Sequence, residues 1–366
     1  MAFDTTLKHT PLYTEHLALK ARMVPFGGWQ MPVQYSGILD EYHNTRRAAS
    51  LFDISHMGEF MICGDPVTTG LDKIVTQSIV NMPLKSCRYG TMLNEQGGVI
   101  DDLIVFRIEQ EKWFIVVNGA TTEKDALHFQ THLTEKSSFE DVSMRIGKLD
   151  LQGPMSRDIL KQFIADIEKL DYYTFDFFDL LGENVLVSRT GYTGELGYEI
   201  YYPWDRTVFL WKALLSSKEV SPAGLGARDM LRLEMGYSLY GHELDENISA
   251  LESGLKRFID FDKDFIGKGA LVKQSQEPLK RKLIGIISET RRSPRSEQNI
   301  YSVDGRKIGV VTSGSFSPFL EKGIGLGLID GADWTTGNPI KFGNDKNQEN
   351  AVVSNKNFFK SGSLKN

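Results

Sequence analysis

The sequence predicts an α+β protein in which two mixed units are followed by a mostly β region. Short apolar strands alternate with amphipathic helices up to about residue 275, once before residue 140 and once after it. Beyond residue 275 the pattern changes to short strands with frequent turns. The 366 residues, 41% of them hydrophobic and 25% charged, fit two or three globular domains with sizeable cores.

The first unit is expected to contain a loop, helices and an antiparallel meander. FGGWQMPVQYSG is interpreted as loop, Ser36 as the cap of a helix that continues to Ala49, and Asp65-Pro66 as the start of another helix. The meander is predicted from three apolar runs separated by turns: RYGTMLN, VIDDLIVFRI and WFIVV. A further helix is expected at about 121–133.

The second unit repeats this mixture. Strands are expected at MRIGKLDLQ, NVLVSR and YEIYY, and helices near 154–164 and at 206–215. The polar, proline-bearing segment QSQEPLKRK has the composition of a linker, and KLIGIIS, IYSVDGRKIGVVTSGS and GLGLID predict the strands that follow it. We therefore predict domains at 1–275 and 276–366.

Composition disfavours several function classes. The net charge of −6 provides no overall positive field for a nucleic acid, and no apolar run approaches the roughly 20 residues that cross a membrane. Cys63 and Cys87 form neither a disulfide framework nor a CxxC motif, so a reducing compartment is expected. The opening MAFDTTLKHTPLY lacks the features of a secretory signal, and we predict a cytoplasmic location.

Two adjacent carboxylates, Asp101 and Asp102, interrupt the apolar strand VIDDLIVF. Because side chains alternate across a strand, Asp102 is expected on the face of Ile100, Ile104 and Phe106, and Asp101 on the opposite face. A buried carboxylate costs several kcal/mol unless it is hydrogen-bonded or neutralised, so a pocket is one interpretation. The other is that both follow the NEQGG turn and end the strand in solvent.

Glu199 and Arg228 are further candidates. Glu199 follows the SRTGYTGELG turn inside a short apolar strand, where its carboxylate could accept two parallel N–H donors or could face solvent. Arg228 and Arg232 share a face of the helix that begins near GLG, where they suit a carboxylate or polar ring. Alternatively, Asp229 and Glu234 simply neutralise these arginines.

Other motifs carry less weight. GLG and GIGLG lack the GxGxxG spacing of a dinucleotide site, so no nucleotide cofactor is expected. His128 and His132 have HxxxH spacing without an evident third ligand, and no metal is expected. The basic run KRK at 280–282, with the arginines of RRSPR, is either a solvated face or a surface for an acidic partner.

A series of motifs runs through nearly the whole chain in order: TPLYTEH, FGGWQMPVQY, SLFDISHMGEF, CRYGTMLNEQGGVIDDLIV, VNGATTEKD, SRTGYTGELGYEI, GLGARDMLRLEMGYSLYGHELD and DFIGKGAL. In this order they resemble the aminomethyltransferases, or T-proteins, of the glycine cleavage system. The resemblance implies two interleaved α+β folate-binding subdomains around a central channel, followed by a C-terminal β-barrel.

The resemblance also implies a reaction and a site. The one-carbon unit carried by the lipoylated H-protein passes to tetrahydrofolate with release of ammonia, and the enzyme is expected to be a monomer that forms transient complexes. Asp102 is implied as the catalytic aspartate, which orients folate and stabilises positive charge as ammonia leaves. Glu199 is implied to grip the pterin ring. The other implied folate contacts are Tyr89, Tyr192, Asn118, Met57 and Arg228.

The chain departs from the family pattern at two places. Many relatives carry an arginine before the AVV of the C-terminal region, where this chain has NDKNQENAVV with only Lys346 as a cation. Arg257 stands where several relatives have tryptophan.

Three other functions compete with the transferase. A folate-dependent demethylase uses the same scaffold, and so does the folate module of a sarcosine-type or dimethylglycine-type oxidase, although that needs a flavin domain. A folate-binding accessory protein of iron–sulfur maturation would carry a KGC-type cysteine, where this chain has RDMLRLEMG.

Overall fold

The computed structural model of the chain describes residues 7–331 and 333–365. The first six residues of the opening segment, part of the stretch interpreted as lacking a secretory signal, lie outside the described residues. The helices are α1 (Tyr13–Ala18), α2 (Ile38–Arg47), α3 (Leu71–Ile74), α4 (Thr122–His132), α5 (Ser156–Leu160), α6 (Thr207–Leu215), α7 (Leu225–Met235) and α8 (Lys268–Ser275).

The strands of the N-terminal part are β1 (Arg22–Phe26), β2 (Trp29–Gln34), β3 (Ala49–Asp53), β4 (Gly58–Cys63), β5 (Cys87–Leu93), β6 (Val99–Glu109), β7 (Lys112–Val117), β8 (Ser138–Asp141), β9 (Ile146–Gln152), β10 (Phe175–Leu180), β11 (Glu183–Ser188), β12 (Gly197–Pro203) and β13 (Val220–Pro222). Those of the C-terminal part are β14 (Arg281–Ser288), β15 (Asn299–Tyr301), β16 (Lys307–Ser317), β17 (Lys322–Asp330), β18 (Pro339–Gly343) and β19 (Gln348–Ser354).

Two large sheets of the N-terminal part are interleaved along the chain. Sheet I has the order β5-β6-β7-β4-β8, and sheet II has the order β10-β11-β12-β9-β3-β13. The chain enters sheet II through β3, builds all of sheet I with β4 to β8, and returns to sheet II from β9 onward. The C-terminal strands close a barrel in the order β14-β17-β16-β15-β18-β19. The predicted α+β fold with a C-terminal barrel is confirmed.

The predicted meander is present as β5, β6 and β7, which pair antiparallel, and α4 follows it. Helices α3 and α4 pack on one face of sheet I. The other face of sheet I packs on sheet II through a largely aromatic cluster. Members of that cluster include Phe106, Phe114, Phe175 and Tyr201. The sheets therefore meet face to face, and the strand faces that alternation alone would assign to solvent are covered.

The segment FGGWQMPVQYSG was predicted as loop, and this is wrong. It forms the β1–β2 hairpin, in which Phe26 pairs with Trp29 across Gly27 and Gly28. Both glycines have positive φ, 56° and 83°, which suits a two-residue turn between twisted strands.

Two predicted helix starts need correction. The residue before α2 is Gly37, and the Glu41 carboxylate, instead of Ser36, accepts the N–H groups of Tyr35, Ser36 and Gly37. The Asp65 carboxylate does accept the N–H groups of Val67 and Thr68, but α3 begins only at Leu71.

Helix α7 joins the two parts of the chain. Its Leu233 packs in one apolar cluster with Leu326 and Phe358, and its Arg232 donates to the Ser313 hydroxyl of β16 at 2.8 Å. The QSQEPLKRK segment spans the end of α8 and the start of β14, and the domain boundary after residue 275 stays a prediction. None of the described helices is long and apolar enough to cross a membrane.

Candidate functional site

The buried face that sheet II turns toward sheet I carries charged groups. In β9, Leu149 and Leu151 pack in the helix-covered core of sheet II, so Lys148 and Asp150 point the opposite way. Both are nevertheless fully buried. In β12, Glu199 lies between Tyr198 and Ile200, which belong to the same helix-covered core. Alternation thus brings these three charged side chains onto the face between the sheets.

Asp102 lies on the matching face of sheet I. Its Oδ2 accepts the Tyr89 hydroxyl at 2.9 Å, and its Oδ1 accepts the Asn118 side-chain amide at 2.9 Å. Asp102 is half-buried and Asp101 is fully buried, so the interpretation that both end the strand in solvent is wrong. The predicted face is also wrong at Ile100, which packs with Leu103, because the β5–β6 register shifts by one residue there.

The surroundings of Asp102 disfavour its charged form. Burial is the largest cause and the neighbouring Asp101 carboxylate is the next, whereas the hydrogen bonds from Tyr89 and Asn118 oppose them. Together they raise the pKa of Asp102 to about 7. Asp102 can therefore change its charge near neutral pH.

Glu199 is the most deeply buried of the predicted site residues, with 5% of its surface exposed. Its carboxylate accepts the Thr190 hydroxyl at 2.6 Å and lies 3.4 Å from the Lys148 ammonium. Burial would raise the pKa of Glu199, but Lys148 and the Thr190 hydrogen bond outweigh burial and lower it. Glu199 is an ionised acceptor, and the interpretation as an exposed strand face is wrong.

Arg228 reaches the same region from α7. Its guanidinium lies 2.9 Å from the Asp150 carboxylate and 4.8 Å from the centre of the Tyr192 ring. Burial and the adjacent Glu199 charge raise the pKa of Asp150 to about 7, although Arg228 opposes this. Asp150 pairs directly with Glu199 across β9 and β12, so Arg228 approaches two carboxylates.

Of the two neutralising partners expected for the arginines, Asp229 pairs with Arg232 and Glu234 pairs with neither arginine in the described part of the chain. Arg232 is 1% exposed and pairs with Asp229 at 2.7 Å and with Glu243 at 2.9 Å. Glu234 pairs with Arg46 instead. Arg232 is thus held within the fold by Asp229 and Glu243, whereas Arg228 pairs with the Asp150 carboxylate of sheet II.

Pairwise interactions link the seven predicted site residues into one cluster at the interface of the two sheets, and we call this cluster the central site. Lys148 connects Met57 with Glu199, since its ammonium lies 3.6 Å from the Met57 sulfur. Besides burial, the negative charge of Asp102 on sheet I raises the pKa of the Tyr192 hydroxyl, and Tyr192 in turn contacts Arg228. This interaction links the residues of sheet I with those near sheet II. The half-buried members are Met57, Tyr89, Asp102, Asn118, Tyr192 and Arg228. The site combines aromatic walls, an ionised carboxylate and a carboxyl that titrates near neutrality.

Sequence reasoning missed Lys148, Asp150 and Glu59. The alternation in KLDLQ is the available signal for the first two, but it is equally typical of a strand with one solvated face. Glu59 is fully buried in β4, and neither of its carboxyl oxygens has a hydrogen-bond partner among the described residues. Burial, the largest cause, raises the pKa of Glu59 well above its usual range and so disfavours the ionised form.

The remaining sequence candidates lie elsewhere. The rings of His128 and His132 are 4.5 Å apart on α4, and the part of the chain that the structure describes holds no group of three or more residues arranged to bind a metal. Lys346 and Arg257 are exposed, and the Arg257 guanidinium stacks on Phe258 at 4.5 Å.

The two halves of the basic cluster lie apart. Arg281 pairs with Glu252 at the start of β14, whereas the RRSPR arginines follow the other end of this strand, ~25 Å away at about 3.3 Å per residue. There they line a surface cavity of about 430 Å³.

Comparison with known proteins adds independent findings. The family model described as the GCVT N-terminal domain matches residues 12–263, and that of the glycine cleavage T-protein C-terminal barrel domain matches residues 281–360. An aminomethyltransferase of Pseudothermotoga lettingae is 42% identical over 330 residues, which cover 88% of this chain and 90% of the relative. One of Caldanaerobacter subterraneus is 42% identical over 361 residues, covering 97% and 96%.

A solved structure has the same fold. The crystal structure of the glycine cleavage system aminomethyltransferase T from Bartonella henselae superposes with a TM-score of 0.90 at 28% identity. The superposition covers 97% of this chain and 99% of that one.

Proposed function

The chain belongs to the family of glycine cleavage T-proteins, which are aminomethyltransferases, and we propose that its central site binds tetrahydrofolate and carries out aminomethyl transfer. The observation that carries the proposal for the site is that Asp102 of sheet I, Glu199 of sheet II and Arg228 of α7 come together at the interface of the two sheets. The donor is proposed to be the aminomethylated lipoyl arm of the H-protein, and ammonia is released.

The donor and acceptor groups of the central site fit the pterin ring of folate. Glu199 is ionised and fixed by Lys148 and Thr190, so its carboxylate can accept adjacent N–H groups from a planar ring. Tyr89 and Tyr192 offer aromatic surfaces, and Met57 offers an adaptable apolar one. Asn118 and Arg228 provide hydrogen-bond donors at the edges. Each of these roles is a proposal.

Asp102 is proposed as the catalytic residue. Bound tetrahydrofolate supplies the amine that accepts the one-carbon unit. The ionised Asp102 carboxylate, oriented by Tyr89 and Asn118, stabilises positive charge that develops as ammonia departs. Positioning between two rigid sheets adds the advantage of an intramolecular reaction. Metal and nucleotide cofactors have no part in this proposal.

The partner and location are proposed on coarser grounds. The H-protein and folate are the partners used by the family, and a monomer that docks the H-protein transiently is the form we propose. Cys63 and Cys87 are unpaired, which supports a reducing compartment, and we propose the cytoplasm.

The test uses aminomethylated H-protein and tetrahydrofolate with the wild type and Asp102→Asn. Ammonia release and methylenetetrahydrofolate formation are measured, with folate binding as the control. Loss of both products in Asp102→Asn with folate binding retained supports the proposal. A wild type that binds folate and leaves the aminomethyl group in place overturns it, and methylated amines would then be tested as substrates of a demethylase.

A further inference from the structure

A buried carboxyl behind the central site has no evident donor. Asp125 lies in the first turn of α4 with 0% of its surface exposed, and neither of its oxygens has a well-formed hydrogen bond in the described part of the chain. The Thr121 hydroxyl is close enough to act on Asp125, but it donates to Asp101. An ionised carboxylate in such a place costs several kcal/mol. This cost is avoided if the Asp125 carboxyl is protonated and donates a hydrogen bond to a neighbouring acceptor.

The acceptor beside Asp125 is Asp101. Thr121 lies against both residues, since its hydroxyl donates to Asp101 Oδ2 at 3.0 Å and its carbonyl accepts the Asp125 backbone N–H at 2.8 Å. Asp101 accepts the Asn118 backbone N–H and the Thr121 hydroxyl on Oδ2, both at 3.0 Å, and the Asn118 side-chain amide on Oδ1 at 2.8 Å. Burial and then the Asp101 charge raise the pKa of Asp125 to about 10. Because Asp101 already accepts three hydrogen bonds and Asp125 accepts none that is well formed, a proton held by the pair lies on Asp125.

The same Asn118 amide connects this pair with the central site. Its nitrogen lies 2.8 Å from Asp101 Oδ1 and 2.9 Å from Asp102 Oδ1, so its two hydrogens serve the two carboxylates. Asp101 therefore fixes the rotation of the amide that orients Asp102.

We propose that Asp125 is a positioning residue, whose protonated carboxyl donates to Asp101 and thereby holds Asn118 against the catalytic Asp102. The proposal rests on the proposed function for its effect on the reaction, whereas the shared proton is a property of the folded chain. No proton is transferred in the reaction by this pair.

The neighbouring charges do not replace this proton. Lys124 is the adjacent cation, but its ammonium is held by the Ile100 carbonyl at 2.9 Å, the Tyr240 hydroxyl at 2.7 Å and Glu246 at 2.8 Å. Asp101 also interacts with the titratable groups of Asp102 and Tyr240. Lys124 weakens the effect of burial on Asp125 without forming an ion pair with it.

Two substitutions separate this role from simple packing. Asp125→Asn keeps the shape and offers an amide N–H to Asp101, so it should retain kcat within about twofold. Asp125→Ala removes the donor, and we expect a loss of about tenfold or more in kcat with a smaller change in KM for folate. Glu123→Ala is the matched control, since it removes an exposed acid from the same helical turn.

An infrared measurement tests the proton directly. The measurement is made at about pH 8.5, which lies between the pKa of about 7 for Asp102 and that of about 10 for Asp125. The wild type should show a protonated-carboxyl band that is reduced in Asp125→Asn, and the part that remains is expected from Glu59. The proposal is overturned if the band is unchanged, if Asp125→Asn is as impaired as Asp125→Ala, or if folded Asp125→Ala keeps wild-type kcat. If Asp125→Ala does not fold, the infrared band and the kcat of Asp125→Asn test the proposal without it. A wild type without aminomethyltransferase activity overturns the proposed function. The infrared band then still shows whether Asp125 is protonated in the folded chain.

Discussion

The pH dependence of aminomethyl transfer should depend on Asp102. Its surroundings raise the pKa from 3.8 to about 7, and three units at 1.36 kcal/mol each correspond to about 4 kcal/mol against the ionised form. Because the proposed role needs the carboxylate, kcat should fall about tenfold per pH unit below 7, with about one tenth of the enzyme ionised at pH 6. Above pH 8 the rate should be level.

Asp102→Asn removes both the charge and this titration. By analogy with the removal of a preorganised charge-stabilising group, kcat should fall about 10²- to 10³-fold and lose its acidic limb. The assay is ammonia release at saturating folate and H-protein from about pH 5.5 to 9, with the thermal midpoint measured at each pH. Since Asp150 also has a pKa of about 7, Asp150→Asn is compared in parallel. An acidic limb that persists in Asp102→Asn and disappears in Asp150→Asn would refute the assignment.

Three further predictions concern binding and stability. Glu199→Gln should weaken folate binding about 10- to 100-fold in calorimetry, because it removes a charged acceptor. Glu59→Gln should make the chain more stable at pH 8 than the wild type, since an acid whose folded pKa is raised loses stability as pH rises above its usual 4.5. Arg46→Met should cost about 3–5 kcal/mol in denaturant unfolding, because Glu195 and Glu234, each 2.8 Å from the guanidinium, stay buried without it.

Each of these has a distinct contrary outcome. Unchanged folate affinity in Glu199→Gln would remove that residue from the binding site. Equal pH slopes of unfolding for wild type and Glu59→Gln would mean that Glu59 is not protonated in the folded chain. If Arg46→Met lowers the free energy of unfolding by less than about 1 kcal/mol, the ion pairs of Arg46 with Glu195 and Glu234 contribute no more than a surface salt bridge.

Local pattern was sufficient where neighbouring strands follow one another in sequence. The meander of β5 to β7 and the following α4 were predicted because turns join strands that pair with their neighbours. Local pattern was not sufficient at β1 and β2, because the proline and glycines of this segment favoured a loop over a strand. The pair Gly27-Gly28 between apolar residues is nevertheless typical of a hairpin turn.

The burial of the site carboxylates could not be predicted from alternation. A polar strand face is solvated in most antiparallel sheets, and here it is covered by a second sheet whose strands are distant in sequence. The covering is visible only after β3 is known to pair with β9 and the chain between them is known to form sheet I. The resemblance supplied Asp102 and Glu199, whereas Lys148, Asp150 and Asp125 needed the three-dimensional arrangement.

The interface between the two sheets changes from apolar to polar along its strands, and the proposed site lies at the polar end. On the interface face of β6, the apolar residues Phe106 and Ile104 give way to Asp102 nearer the start of the strand. On β12, Tyr201 gives way to Glu199 in the same direction. The matching changes on the neighbouring strands are Cys87 to Tyr89, Val116 to Asn118 and Leu186 to Ser188. An apolar interface would have been more stable throughout, since buried charges cost more than packed hydrophobic groups. This extra cost at the polar end is consistent with our proposal that binding, instead of folding, determines the residues there.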